Sequence, residues 1–141
     1  MIKKQFLAIT ILALLTLSCS SDDDPRDNYP KKKDISFSVT SSDTDRLSRV
    51  TIKIIGNGVE ISNSSYSQSH LPLTREYLKQ SIPFQTLLGI TYEDNSGGEI
   101  GVPFEPYNIK FIIKVDSETV AEKEITINGP GTVDSVEFTF N

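Results

Sequence analysis

Ile35-Ser36-Phe37-Ser38-Val39-Thr40 and Ile109-Lys110-Phe111-Ile112-Ile113-Lys114-Val115 both place β-branched or aromatic residues at every second position. A period of two sends alternate side chains to opposite faces, so each stretch reads as a half-buried β-strand. Working outward, Val50, Ile52 and Ile54 alternate with Thr51 and Lys53, and Gly56-Asn57-Gly58 then leads to Val59 and Ile61. Those turn residues accept positive φ, which predicts a hairpin. Asn63 to His70 reads as a polar loop, and Leu71 to Tyr77, carrying Pro72, reads as an edge or bulged strand. Phe84, Thr86, Leu88, Ile90 and Tyr92 form one face of a longer strand, closed by Asp94-Asn95-Ser96-Gly97-Gly98.

Beyond residue 115, Asp116-Ser117-Glu118 turns the chain into a strand from Val120 to Ile127. There Val120 and the Ile125/Ile127 pair fall on opposite parities, which predicts a bulge near Ala121-Glu122. Asn128-Gly129-Pro130-Gly131 makes the last turn, and Val136, Phe138 and Phe140 lie on a final strand. No stretch after residue 34 keeps a 3.6-residue period for long; Thr74 to Gln80 could make at most a helical turn or two. About seven short strands with regular turn signals predict an all-β fold, an antiparallel β-sandwich over residues 34–141 of immunoglobulin-like size. One cysteine and no tryptophan exclude a true immunoglobulin domain. A core of this size buries roughly 65% of the unfolded surface, enough to fold without disulfides.

Residues 1–18 have a different character. Lys3 and Lys4 precede an uncharged run from Phe6 to Leu17, long enough for a signal peptide and too short to span a bilayer. Leu15-Thr16-Leu17-Ser18-Cys19 follows, and it resembles the lipobox of a bacterial lipoprotein of Bacteroidetes type. The resemblance implies cleavage before Cys19, acylation of Cys19 (palmitate among the chains), and a mature protein held on the outer membrane without crossing it. A second acyl chain matters physically, since one alone holds a protein only marginally. Ser20, Ser21, Asp22, Asp23 and Asp24 resemble the signal that sends such lipoproteins to the cell surface. Residues 19–33 mix acids, bases, Pro25 and Pro30 with no recurring apolar position, which predicts a disordered tether. Lys31-Lys32-Lys33 reads as a solvated run rather than a lipid-headgroup contact.

Within the domain, a Ser/Thr-rich first strand, Gly56-Asn57-Gly58, Leu71-Pro72-Leu73, Pro83-Phe84, Gly97-Gly98 and Ile112-Ile113-Lys114-Val115-Asp116 follow one another in an order that resembles the MmpS-like β-sandwich family of small membrane-anchored proteins. Leu73 stands where an aromatic is common, and Ser117 where the turn usually has glycine. The resemblance implies the scaffold and leaves the partner open.

Chemistry is sparse. His70 is the sole histidine and reads as a loop residue rather than a catalytic base, and no catalytic set or cofactor site is expected. Asp43-Thr44-Asp45 and Glu93-Asp94-Asn95 offer oxygens that calcium accepts, but neither matches a calcium loop, and turn acids capping their own backbone explain both. No metal site is expected. After loss of Lys3 and Lys4, 12 basic residues stand against 19 acidic ones, a net charge of −7 that repels nucleic acid. Tyr66, Tyr77, Tyr92 and Tyr107 are candidates for a glycan platform, against the plainer reading of half-buried packing tyrosines with wet hydroxyls. Asp134-Ser135-Val136 resembles the sites at which exported Bacteroidetes-type proteins are O-glycosylated, making Ser135 a candidate acceptor. The expected function is a non-catalytic accessory or interaction module with an envelope protein partner; surface glycan binding is the alternative.

Overall fold

A computed structural model of the protein describes residues 24–98 and 100–141. Cys19, Ser20, Ser21, Asp22 and Asp23 therefore lie outside the described residues. A one-turn 3-10 helix, Pro25–Asn28, is followed by eight strands: β1 (Lys31–Ser41), β2 (Ser48–Gly56), β3 (Val59–Ser69), β4 (Leu73–Ile82), β5 (Leu87–Asp94), β6 (Tyr107–Val115), β7 (Glu118–Ile127) and β8 (Val133–Thr139). They form two four-stranded antiparallel sheets, ordered β4-β1-β6-β7 and β3-β2-β5-β8. The protein is an all-β sandwich.

Parity builds the core. Ile35, Phe37 and Val39 of β1 lie opposite Val115, Ile113 and Phe111 of β6, all buried. In the other sheet Val50, Ile52 and Ile54 lie opposite Tyr92, Ile90 and Leu88. Each such side chain contributes roughly 1.5–3 kcal/mol by leaving water, so the two inner faces supply the main cohesion.

Two expectations need correction. The loop expected over Asn63 to His70 is mostly strand, because β3 runs to Ser69 in register with β2. Its hydroxyl-rich sequence has no apolar alternation, yet its backbone completes the ladder of a central strand. The tether expected over residues 19–33 ends earlier than its composition suggests. Asp24 caps the 3-10 helix, accepting the Arg26 backbone N–H at 2.9 Å. Lys31, Lys32 and Lys33 pair with Ile82, Ser81 and Gln80 of β4. Tyr29 anchors the entry by packing edge-on against Phe84 at 5.5 Å. The described residues form eight strands, in line with the expected count of about seven. The expected β7 bulge is present one residue earlier: Ile113 faces Ala121 and Lys114 faces Thr119, leaving Val120 as the extra residue.

The edge reading of the Pro72 segment holds, since β4 closes one side of its sheet. β4 is also bulged, with Leu78 and Lys79 together facing Asp34, whose carboxylate accepts the Lys79 N–H at 2.7 Å. Both tight hairpins use two central residues with positive φ: Asn57 and Gly58 between β2 and β3, and Asp116 and Ser117 between β6 and β7. This is the type I′ pattern that suits the twist of paired strands. At Gly56, just before the first of these turns, a Cβ would stand 2.6 Å from the Ile61 Cδ1 tip and 2.9 Å from Pro83 Cγ, so both neighbours would have to shift to admit one.

The hairpins, the entry to β1 and the C-terminus share one end of the sandwich, called here proximal. Loops 42–47, 70–72, 95–106 and 128–132 share the other, distal end.

Ser117 has φ 72°, a left-handed conformation that costs a non-glycine residue about 1 kcal/mol. Ser117→Gly is expected to raise the urea unfolding free energy by about 0.5–1 kcal/mol; a loss of stability would contradict the strained-turn reading.

Candidate functional site

Asp94 closes β5 at the distal end and is buried, at 1% exposure. A carboxylate there needs donors, and three converge on it. Tyr107 Oη donates at 2.5 Å, Ser96 Oγ at 2.7 Å and the Gly131 backbone N–H at 3.2 Å. Tyr107 Oη also shares a hydrogen bond of 2.7 Å with Tyr92 Oη. Burial pushes both tyrosine hydroxyls above their ordinary pKa, and for Tyr107 the hydrogen bond to Asp94 adds to the effect. The phenols thus stay neutral and act as donors.

This network fastens the distal loops. The Asp94 N–H donates to Thr132 O at 3.0 Å, and the Asn95 N–H to Leu47 O at 2.9 Å. Above it, the Arg46 guanidinium lies 4.9 Å from the Phe104 ring centroid and 5.3 Å from that of Tyr107. Arg46 Nε donates to Asp43 at 2.9 Å and Nη2 to Glu105 O at 3.3 Å. The guanidinium beside Asp43 holds that carboxyl below its usual range. A cleft of about 430 Å³ opens beside this stack, lined by Arg46, Ser96, Pro103, Phe104, Glu105 and Pro130 among others. Ile100 and Val102 project from the same loop into solvent, Val102 at 59% exposure.

The four tyrosines do not make a platform. Tyr92 and Tyr107 are buried with bonded hydroxyls, so they are neither exposed rings nor packing residues with wet ends. The alternation that places an aromatic residue on the inner face cannot also show it to a ligand. Tyr77 packs edge-on against Phe37 at 5.8 Å, and Tyr66 lies under the Arg75 guanidinium at 4.4 Å. His70 is a loop residue whose Nδ1 lies 3.3 Å from Thr44 O. Asp43 accepts the Asp45 N–H at 3.0 Å, capping its own turn as expected. Among the described residues no group of three His, Cys, Asp or Glu side chains is arranged to hold a metal. Ser135 is exposed on β8, as parity requires.

Arg46, Phe104 and the hub role of Asp94 were not legible as a site. A signal existed in the Asp43-x-x-Arg46 spacing, but it reads equally as an ordinary turn pair. Comparison with known protein families finds no match for the chain, and comparison with curated proteins finds none either.

Removing the Tyr107 hydroxyl strips Asp94 of a donor and leaves a buried acceptor short, at a cost of about 1–3 kcal/mol. Tyr107→Phe is therefore expected to lower the urea midpoint clearly, whereas Ser135→Ala shifts stability by less than about 0.5 kcal/mol. Equal effects would contradict the hub assignment.

Acid should loosen the same molecule. Asp43, Asp116 and Asp134 are held below the ordinary carboxylate value of 3.8 by hydrogen bonds from Arg46, Lys33 and Lys123 respectively. The unfolded chain binds protons first, so their contribution is complete above pH 3.8 and is lost as pH falls through the lower folded values. These pairs are exposed and screened by solvent, so each contributes little. Stability should be flat from about pH 7 to 5 and fall below about pH 4, and Asp134→Asn should reduce that fall; an unchanged slope in the variant would remove Asp134 from the account.

Proposed function

We propose that the protein is a non-catalytic cell-envelope lipoprotein, anchored at the outer membrane through Cys19 and probing its surroundings as an accessory or protein-interaction module. The cell-surface display that Ser20 to Asp24 suggests, and the likeness to the MmpS-like scaffold, belong to the same proposal. One observation carries the choice of face. The apolar side chains Ile100 and Val102 stand exposed at the end of the sandwich opposite the N-terminal entry, beside the cleft under Arg46 and Phe104. A chain tethered at its start reaches outward with that end first.

The support beneath the loop suits a binding role. Ser96, Gly131 and Thr132 are tied to the Asp94 hub, so the loop roots need little further ordering on binding. Pre-paid ordering favours association. Exposed apolar groups gain by burial against a partner and offer nothing to a hydrated glycan, and the burial of Tyr92 and Tyr107 leaves the glycan alternative without its platform.

The experiment is site-specific photo-crosslinking in intact cells. A photoreactive side chain at Val102 is expected to give a discrete protein adduct, absent with the same group at Lys53 on the sheet face. Cys19→Ser should move the chain out of the membrane fraction and abolish that adduct. Adducts to glycan alone at Val102, or membrane retention of the Cys19→Ser chain, would overturn the reading.

A further inference from the structure

The chain between Cys19 and the folded domain is short. Asp24, the fifth residue after Cys19, already caps the 3-10 helix, and Tyr29 beyond it packs against Phe84. Whatever their conformation, five residues span at most about 18 Å. The 11 residues of β1 extend about 35 Å by comparison. An anchor at Cys19 therefore holds the proximal end closer to the bilayer than the length of its own sheets, and a protein partner at that end would have to enter the narrow gap that remains.

The surface turned toward that gap is apolar. Val59, directly after the Asn57-Gly58 turn, is 67% exposed, and Ile61 is exposed as well. Ile61 and Pro83 meet over Gly56, and the half-buried Phe84 that follows carries Tyr29 on its edge. Arg26, Asn57, Pro83, Phe84 and Gln85 line one cleft of about 430 Å³, so the chain entry and the β2–β3 turn are neighbours. An apolar band thus crosses the proximal end from Val59 to Tyr29 and finishes where the chain from Cys19 arrives.

Charge favours the same orientation. At the proximal end Arg26 pairs with Asp24 and Lys33 with Asp116, Glu60 accepts the Asn63 side-chain amide at 3.0 Å, and Lys31 and Lys32 are exposed against Asp27. At the distal end Arg46 pairs with Asp43 and Arg49 with Glu93, which leaves Asp45 and Glu105 in excess. A surface of anionic lipids repels the second end more than the first.

We propose that the β2–β3 hairpin tip is a membrane-contact site, with Val59 and Ile61 seated among the headgroups of the bilayer that holds Cys19 and the distal loops turned outward. The proposal rests on the lipoprotein reading above, because the anchor is what brings a lipid surface to this end. Apolar groups gain by leaving water at the headgroup boundary, and two side chains suffice once the anchor has made their contact intramolecular.

Single cysteines at Val59→Cys, Lys53→Cys and Val102→Cys test the contact. The acylated chain is purified from membranes in detergent, labelled with a thiol-reactive fluorophore and reconstituted into phosphatidylethanolamine–phosphatidylglycerol vesicles carrying a headgroup nitroxide lipid. Acylation consumes the Cys19 thiol, the only one in the parent chain, so the parent should take up no dye. The dye at Val59 is expected to be quenched several-fold more than the dye at Lys53 or Val102. Ile61→Asp in the Val59-labelled chain should remove that excess while circular dichroism stays that of the folded sandwich, and the uncharged Ile61→Ser should lower it. Equal quenching at the three positions, or strongest quenching at Val102, in chains whose parent takes up no dye would overturn the contact and leave the anchor standing. Excess quenching that persists in folded Ile61→Asp and Ile61→Ser chains would also overturn it. Dye uptake by the parent would reveal a free Cys19 thiol and overturn the anchor and the contact together.

Discussion

The hydrogen bond from Tyr107 to Asp94 joins the two sheets at the distal end, and the loops there depend on it. Tyr107 opens β6 in one sheet and Asp94 closes β5 in the other, so the 2.5 Å contact is an inter-sheet tie made of polar groups inside an apolar sandwich. An unpaired buried carboxylate costs several kcal/mol, and each donor offsets part of that cost. Ser96 and Gly131 are drawn in for the same reason, and they bring the roots of the 95–106 and 128–132 loops with them. The Arg46 guanidinium then has a fixed aromatic bed on Phe104 and Tyr107. The cleft is built on loop roots tied to one acid.

At the proximal end the forces are different. Two-residue hairpins, the Tyr29–Phe84 contact and the Asp116 carboxylate, which accepts the Asp34 N–H at 3.1 Å and an ion pair from Lys33, hold short connections close to the sheets. Short turns leave little surface to vary. The sandwich thus separates its duties, with compact closure where the chain enters and loop surface where it faces away.

The open sides of the sandwich show how charge manages exposed backbone. Arg75 of β4 covers Tyr66 of β3 on one side, and Lys123 of β7 reaches Asp134 of β8 on the other. Each bridge spans the gap between sheets with a long amphipathic side chain whose stem covers apolar surface and whose head stays wet. The serine-rich β3 carries one charge of its own, Glu60, and takes its cover from Arg75 across Tyr66.

Strand alternation at residues 35–39, 50–54, 88–92 and 109–115 specified by itself the all-β class and most of the core, because burial on one face demands a period of two and that period is visible in a single chain. The β7 bulge was legible from the parity break for the same reason. β3 and the Lys31–Lys33 start of β1 were not, since their place is set by backbone hydrogen bonds to neighbours and serine or lysine side chains carry no trace of that pairing. Asp94, Tyr92 and Tyr107 were visible only as residues of suitable type. Which carboxylate goes inside, and which tyrosines turn from platform to donor, is decided when β5 and β6 from different sheets meet: a buried charge takes whatever donors tertiary packing brings within 3 Å or so, and no local pattern records them.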